Sequence, residues 1–303
     1  MPELPDLLLY TRALRERVVG QPLLRVRLGS PFLLRSVEPP LEAFEGCRLE
    51  DVRLLGKRLV FAFAGQRWLV LHLMIAGRLH WKAVDARIPG KVGLAAFDFP
   101  HGTLTLTEAG SKRRASLHAV RGSDALAAMD PGGIDVLGAD RDAFASVLTR
   151  ERHTLKRALT DPRLFSGIGN AYSDEILHAA LLSPLRLTHQ LDDDEITRLH
   201  AATHATLLAW IDRLRTRTGD AFPEKVTAFV EGMAVHGRYG QPCPRCGTPI
   251  QRLVYAQNEA NYCPTCQTGG RLLADRALSR LLRDDWPKSL EDLDEYKAAR
   301  QRR

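Results

Sequence analysis

The residue types most suited to chemistry stand near the two ends of this chain. It begins Met1-Pro2-Glu3-Leu4-Pro5-Asp6. Initiator Met is commonly removed before a small residue, which is expected to leave Pro2 with a free secondary amine. An N-terminal amine titrates near about 8, well below a Lys side chain, so a usable fraction is neutral and nucleophilic at pH 7. Glu3 follows as an acid/base, and the pair suits attack on an electrophilic carbon with Schiff-base formation. Two prolines that merely stiffen an exposed start would read the same way. Far along the chain, Cys243-x2-Cys246-x16-Cys263-x2-Cys266 has the spacing of two thiolate-bearing turns that converge on one tetrahedral zinc. Four sulfurs close the coordination sphere, so the metal is expected to be structural. Pro242, Pro244, Gly247 and Pro264 supply the knuckle context, and a redox pair is the competing reading.

Between these ends, Gly167 and Gly169 allow close backbone approach. The N–H groups that open the following helix offer an anion site to which Asn170 can add a side-chain donor. A plain interhelical turn explains the same glycines. Lys57 is placed at the head of a strand, where its cation can reach a phosphate or simply be solvated. Lys112, Arg113 and Arg114 follow a hairpin, as a DNA-facing loop or as a solvated charge run. His72, in an apolar strand, reads as a core histidine.

The elements that must hold these groups differ along the chain. Leu7, Leu8, Leu14 and Val18 recur at helical spacing with Arg12, Arg15 and Arg17 between them, which predicts a helix over 6–19 that fixes the start. Leu24 to Leu28, Leu54 to Phe63, Trp68 to Ile75, and the pair Leu94 to Phe99 and Thr103 to Thr107 around Pro100-His101-Gly102 predict short strands of a β-sandwich. Asp130-Pro131-Gly132-Gly133 marks a boundary. Helices are predicted over 141–150, 152–159, 171–181 and 192–215. The expected domains are 1–130, 131–235, 236–270 for the ribbon, and a partly helical or disordered 271–303.

The 303 residues carry 43 Lys and Arg against 36 Asp and Glu, a net charge of +7, which favours an anionic partner and nucleic acid first. No apolar run approaches the roughly 20 residues that span a bilayer, and no signal peptide is evident. The protein is expected to be soluble, cytoplasmic and nucleoid-associated in the bacterial manner. Four paired cysteines in a reducing compartment again point to metal, with Cys47 left as a small hydrophobe.

In this order, several segments together resemble the formamidopyrimidine-DNA glycosylase/endonuclease VIII family of base-excision repair enzymes. They are Met1 to Pro5, Gly56-Lys57-Arg58, His72-Leu73 with Ala76-Gly77-Arg78-Leu79, Phe165 to Ile176, Gly237-Arg238 and Cys263-Pro264-Thr265-Cys266-Gln267. The resemblance runs from residue 1 to about 268. It implies an α+β multidomain fold: a β-sandwich headed by a helix, a helical domain with a helix-two-turn-helix motif, and a zinc ribbon. It also implies a monomer acting on duplex DNA with a damaged base or abasic site. Pro2 would attack C1′ of a flipped nucleotide and Glu3 would shuttle protons. Strand cleavage by β- and δ-elimination would follow. Lys57 and Asn170 match the family's lesion and backbone contacts.

The chain also departs from the family pattern. Asp6 replaces a usual Glu. Met74-Ile75 stand where Gly-Met is typical, which leaves both residues as candidates for the inserted wedge. Ala109 to Ala115 replace Pro-Arg-Arg-Phe-Gly, leaving no aromatic to stack on the orphaned base. Asn258 stands where an arginine is expected, losing a bidentate phosphate fork. Beyond Gly269, Arg271, Arg276, Arg280 and Arg283, with Leu272, Leu273, Leu278, Leu281 and Leu282, suggest a basic amphipathic helix. These departures keep open a catalytically silent DNA-binding protein on the same scaffold and, more remotely, a sequence-reading zinc-ribbon regulator.

Overall fold

A computed structural model describes residues 1–110, 112–224, 226, 230–255, 258–274 and 287–301. They fall into two compact units, Met1–Gly133 with Leu207–Ala228, and Ile134–Thr206 with Phe229–Arg303.

The first unit opens with helix α1, Leu4–Val18. Leu7, Tyr10, Leu14 and Val18 recur three or four residues apart and are fully buried, while Arg12, Arg15 and Glu16 face outward. Burying each such side chain contributes roughly 1.5–3 kcal/mol, so this stripe is what docks the chain start. Pro5 sits in the first turn, where its missing N–H costs nothing.

Eight antiparallel strands then form two four-stranded sheets among the described residues. One runs β1 (Arg25–Leu28), β6 (Gly93–Phe99), β7 (Gly102–Glu108), β5 (Gly77–Lys82); the other runs β2 (Leu49–Leu55), β3 (Arg58–Phe63), β4 (Arg67–His72), β8 (Ser116–Arg121). The expected sandwich is therefore present. Leu59, Phe61, Leu69, Leu71 and Leu117 join Phe97, Leu104 and Leu106 in its core. On the second sheet's other face, Val60, Val70 and Val120 pack with Leu126 of the short helix α2, Ser123–Ala127. Both faces of β3 are covered, which is why its sequence runs apolar without alternating.

Lys57 does not head a strand. It occupies the two-residue turn with Gly56 between the paired Leu55 and Arg58. A primed hairpin turn holds its second residue at the tip rather than in the ladder, so the Lys57 side chain is half-buried instead of packed on a sheet.

The second unit carries α3 (Arg141–Thr149), α4 (Leu155–Thr160), α5 (Asn170–Ala179), and the hairpin β9 (Gln251–Tyr255) with β10 (Asn258–Tyr262). The rings of Phe144 and Phe165 pack tilted against each other, centroids 4.8 Å apart, in its helical core. Asp140 and Thr154 cap α3 and α4 through their side chains. Helix α6, Asp193–Thr218, begins in this unit and its residues from Leu207 belong to the first. A final helix spans Leu290–Gln301, opened by Ser289 and Asp292, whose side chains each accept the other's N–H. Of the proposed basic helix, Arg271, Leu272 and Leu273 are described without helical structure, and Arg276, Leu278, Arg280, Leu281, Leu282 and Arg283 lie outside the described residues. Among the described residues, no helix is long and apolar enough to cross a membrane.

Gly77 begins β5, and a Cβ there would sit 2.3 Å from the Leu73 carbonyl oxygen. That backbone cannot move aside without opening the 73–77 turn. Gly77→Ala is therefore expected to cost about 1–3 kcal/mol in urea unfolding of the full chain. A loss below about 0.5 kcal/mol would contradict this reading of the turn.

Candidate active site and metal centre

The chain start is buried, not a loose tail. Pro2, Glu3, Pro5 and Asp6 are all buried, and Glu3 is only 2 % exposed. Glu3 is the N-cap of α1, and its backbone N–H donates to Asp6 Oδ2 at 2.9 Å. Shortening the usual Glu to Asp thus still closes the cap. Burial lowers the affinity of the Met1 terminal amine for its proton. Glu3 and Asp6 oppose that shift, while Arg78 and Lys57 reinforce it. Two carboxylates and two cations therefore lie within electrostatic reach of one amine. Arg78 is the member that sequence reading did not single out; it appeared only as one letter of a longer match.

Burial pushes Asp6 up to about 7, with Glu3's charge adding to the effect and its backbone N–H opposing it. His72 is pushed down to about 4 by burial, then by Arg58, Lys57 and His118. It is a neutral histidine at the end of β4, beside the turn that carries Met74 and Ile75. Met74 adopts a left-handed φ of 52°, and Ile75 at the turn's tip is 60 % exposed. Of the two wedge candidates, Ile75 projects further from the fold.

Lys112, Arg113 and Arg114 are exposed. Their loop is anchored by buried Glu108, whose carboxylate accepts the N–H groups of Arg114 at 3.0 Å and Ala115 at 3.1 Å. The Arg113 guanidinium also donates to the Lys91 carbonyl.

In the second unit, Gly167 has φ of 84°, a left-handed conformation that suits glycine, and Gly169 is the N-cap of α5. Asn170 follows as the first helical residue, with its Nδ2 donating to the Glu259 carbonyl of β10 at 2.7 Å. The Asn258 backbone pairs with Tyr255, and its side chain lies outside the described residues. Beneath Asn170 runs a buried polar network. Lys156 Nζ donates to the Asn170 carbonyl at 2.7 Å and to Asp174 Oδ1 at 2.5 Å, and Asp174 Oδ2 meets His236 Nδ1 at 2.8 Å. Glu175 accepts the successive N–H groups of Ala234, Val235 and His236 at 2.7, 2.9 and 2.9 Å. Removing one member of such a buried ion set typically costs about 3–5 kcal/mol, so α5 has little freedom to slide.

The sulfurs of Cys243, Cys246, Cys263 and Cys266 all lie within 4.8 Å of one another. A tetrahedral zinc with bonds of about 2.3 Å needs sulfur–sulfur edges of about 3.8 Å. The separations in the structure include 3.4, 3.5 and 4.0 Å. The donor set and its spacing fit one structural zinc.

Asp6 has a sign-defined effect on stability. Its folded pKa of about 7 lies above the ordinary value of 3.8. The folded state therefore holds the extra proton between those values, and the contribution of Asp6 is full in acid and lost as pH rises towards 7. The stability of wild type relative to Asp6→Asn should fall between about pH 4 and pH 7 and then level off. Urea unfolding of both proteins across that range measures it, and a difference that rises with pH would contradict the assignment.

Family patterns cover these same regions. That of the "Formamidopyrimidine-DNA glycosylase N-terminal domain" matches residues 1–119, the "Formamidopyrimidine-DNA glycosylase H2TH domain" matches 135–219, and the "Zinc finger found in FPG and IleRS" matches 240–269. The formamidopyrimidine-DNA glycosylase of Symbiobacterium thermophilum is 32 % identical over 289 residues, covering 88 % of this chain and 89 % of that one. An uncharacterized formamidopyrimidine-DNA glycosylase-like protein of Mycobacterium tuberculosis is 40 % identical over 151 residues, 50 % of this chain and 94 % of its own. Among solved structures, the Lactococcus lactis Fpg with DNA containing an abasic site superposes with a TM-score of 0.78 at 25 % identity, over 88 % of this chain and 99 % of that one. With a relative 32 % identical over 88 % of this chain and 89 % of its own length, and with family patterns over 1–119, 135–219 and 240–269, this chain belongs to the formamidopyrimidine-DNA glycosylase family.

Proposed function

We propose that this chain is a DNA repair glycosylase with lyase activity, in which the Pro2 amine, freed by removal of Met1, is the nucleophile. The observation that carries the reading is the buried chain start: Pro2 and Glu3 are buried, and Glu3, Asp6, Lys57 and Arg78 all bear electrostatically on the Met1 amine that precedes Pro2. The neutral amine attacks C1′ of a damaged nucleotide turned out of the duplex. The glycosidic bond breaks with its electrons leaving on the base, and the remaining sugar is held as an iminium on Pro2. Glu3, whose backbone N–H is held by Asp6, protonates the sugar ring oxygen as the C1′–O4′ bond opens to the iminium and later moves protons during β- and δ-elimination. The iminium makes the neighbouring sugar proton acidic, which is what permits the phosphates to leave.

Lys57 supplies a cation to the lesion's phosphate from the Gly56-Lys57 turn. Gly167, Gly169 and Asn170 offer a further phosphate site at the start of α5, with Asn170 as the side-chain member. Ile75, with Met74 behind it, enters the gap left by the base, and Lys112, Arg113, Arg114 and Asn258 contribute backbone contacts. The zinc supplies folding of the ribbon and takes no part in bond making. In this proposal residues 1–130 are the catalytic domain, 131–235 the helical DNA-binding domain, 236–270 the ribbon and 271–303 an extension, and the protein acts in the cytoplasm on DNA with oxidised or ring-opened bases or abasic sites.

Borohydride reduction during incubation with an abasic-site duplex tests the chemistry. Wild type should give a covalent protein–DNA band, and Pro2→Gly should lower it at least tenfold. Glu3→Gln should slow excision of an oxidised base by roughly 10²–10⁴-fold. If bound duplexes stay untrapped although Met1 is absent, the lyase reading fails and a silent DNA-binding scaffold takes its place.

A further inference from the structure

The far end of α5 meets the metal centre. His178 Nε2 lies 3.3 Å from Cys243 Sγ, and both residues are almost fully buried. Four thiolates around one Zn2+ carry net negative charge, and buried charge is tolerated where hydrogen-bond donors face it. Within the ribbon, Cys263 Sγ takes the Cys266 N–H at 3.5 Å, and Cys246 Sγ has Thr248 Oγ1 at 3.3 Å. His178 comes instead from the helix whose first residue is Asn170. Gln267 makes a parallel tie between ribbon and helical core, accepting the Cys263 N–H at 2.8 Å and donating to the Leu182 carbonyl at 2.9 Å.

We propose that His178 is a positioning residue of the zinc centre, donating its Nε2–H to the Cys243 thiolate and so fastening helix α5 to the metal. The donated hydrogen bond draws electron density off the sulfur and fixes the ring orientation, and the metal in turn restrains the end of the helix opposite Asn170. This tie concerns the zinc alone and stands whether or not the DNA chemistry proposed above is right. A histidine that only filled space would be replaceable by an aromatic ring without consequence for the metal.

His178→Phe keeps a ring and removes the donor. Zinc release from the loaded protein to a chromogenic chelator should accelerate by roughly 10- to 100-fold, the range found when partners of metal ligands are removed. In the Co2+-loaded variant the sulfur-to-metal charge-transfer band should move to lower energy. His178→Gln, whose amide can donate, should recover part of both effects. Unchanged release and an unchanged band in His178→Phe would overturn the proposal. Nitrogen-15 shifts of the imidazole in zinc-loaded wild type give an answer even if the variant does not fold. A ring protonated at Nε2 agrees with the proposal, and a ring protonated only at Nδ1 overturns it.

Discussion

The hydrogen bond from the Glu3 N–H to buried Asp6 is the constraint on which the order of the chain start depends. A chain terminus ordinarily frays, because few contacts offset the entropy of holding it. Here the first residues are the cap of a helix whose apolar stripe is fully buried, so fixing the helix fixes the terminus. The same burial lowers the proton affinity of the Met1 terminal amine. Order and lowered basicity at the chain start come from one cause, and the cations of Lys57 and Arg78 act in the same direction.

The second unit reaches a comparable rigidity by different means. Its anchor helix α5 is held by charges, with Asp174 shared between Lys156 and His236 and Glu175 clamping three consecutive amides. Such groups are costly to bury, and their value is geometric: each has one arrangement that satisfies it. Asn170 sits at one end of this helix and the zinc cysteines near the other, so the metal's contribution to folding extends into the segment proposed to hold phosphate.

Much of this was legible in the residues, for identifiable reasons. The Cys-x2-Cys pairs and the start motif are local in sequence, and the apolar stripe of α1 repeats at helical spacing. The sandwich was legible from its strand runs, although β5 and β8, with Arg78 and His80 in one and His118 and Arg121 in the other, are too polar to declare themselves. Lys57 was placed on a strand because Gly56 was taken to precede the strand instead of sharing a turn with Lys57. The buried network left no trace, because Lys156 and Asp174 are 18 residues apart and Asp174 and His236 are 62 apart. Periodicity reports which face is buried, and it says nothing about which charges meet there.

The central claim is that the chain's own terminal amine is the atom that bonds to the sugar. Peptide mapping by mass spectrometry of the borohydride-reduced protein–DNA adduct tests it most directly. The account predicts a peptide beginning at Pro2 that carries the reduced sugar remnant on its nitrogen. An adduct on Lys57, or on any other lysine with the N-terminal peptide unmodified, would contradict it.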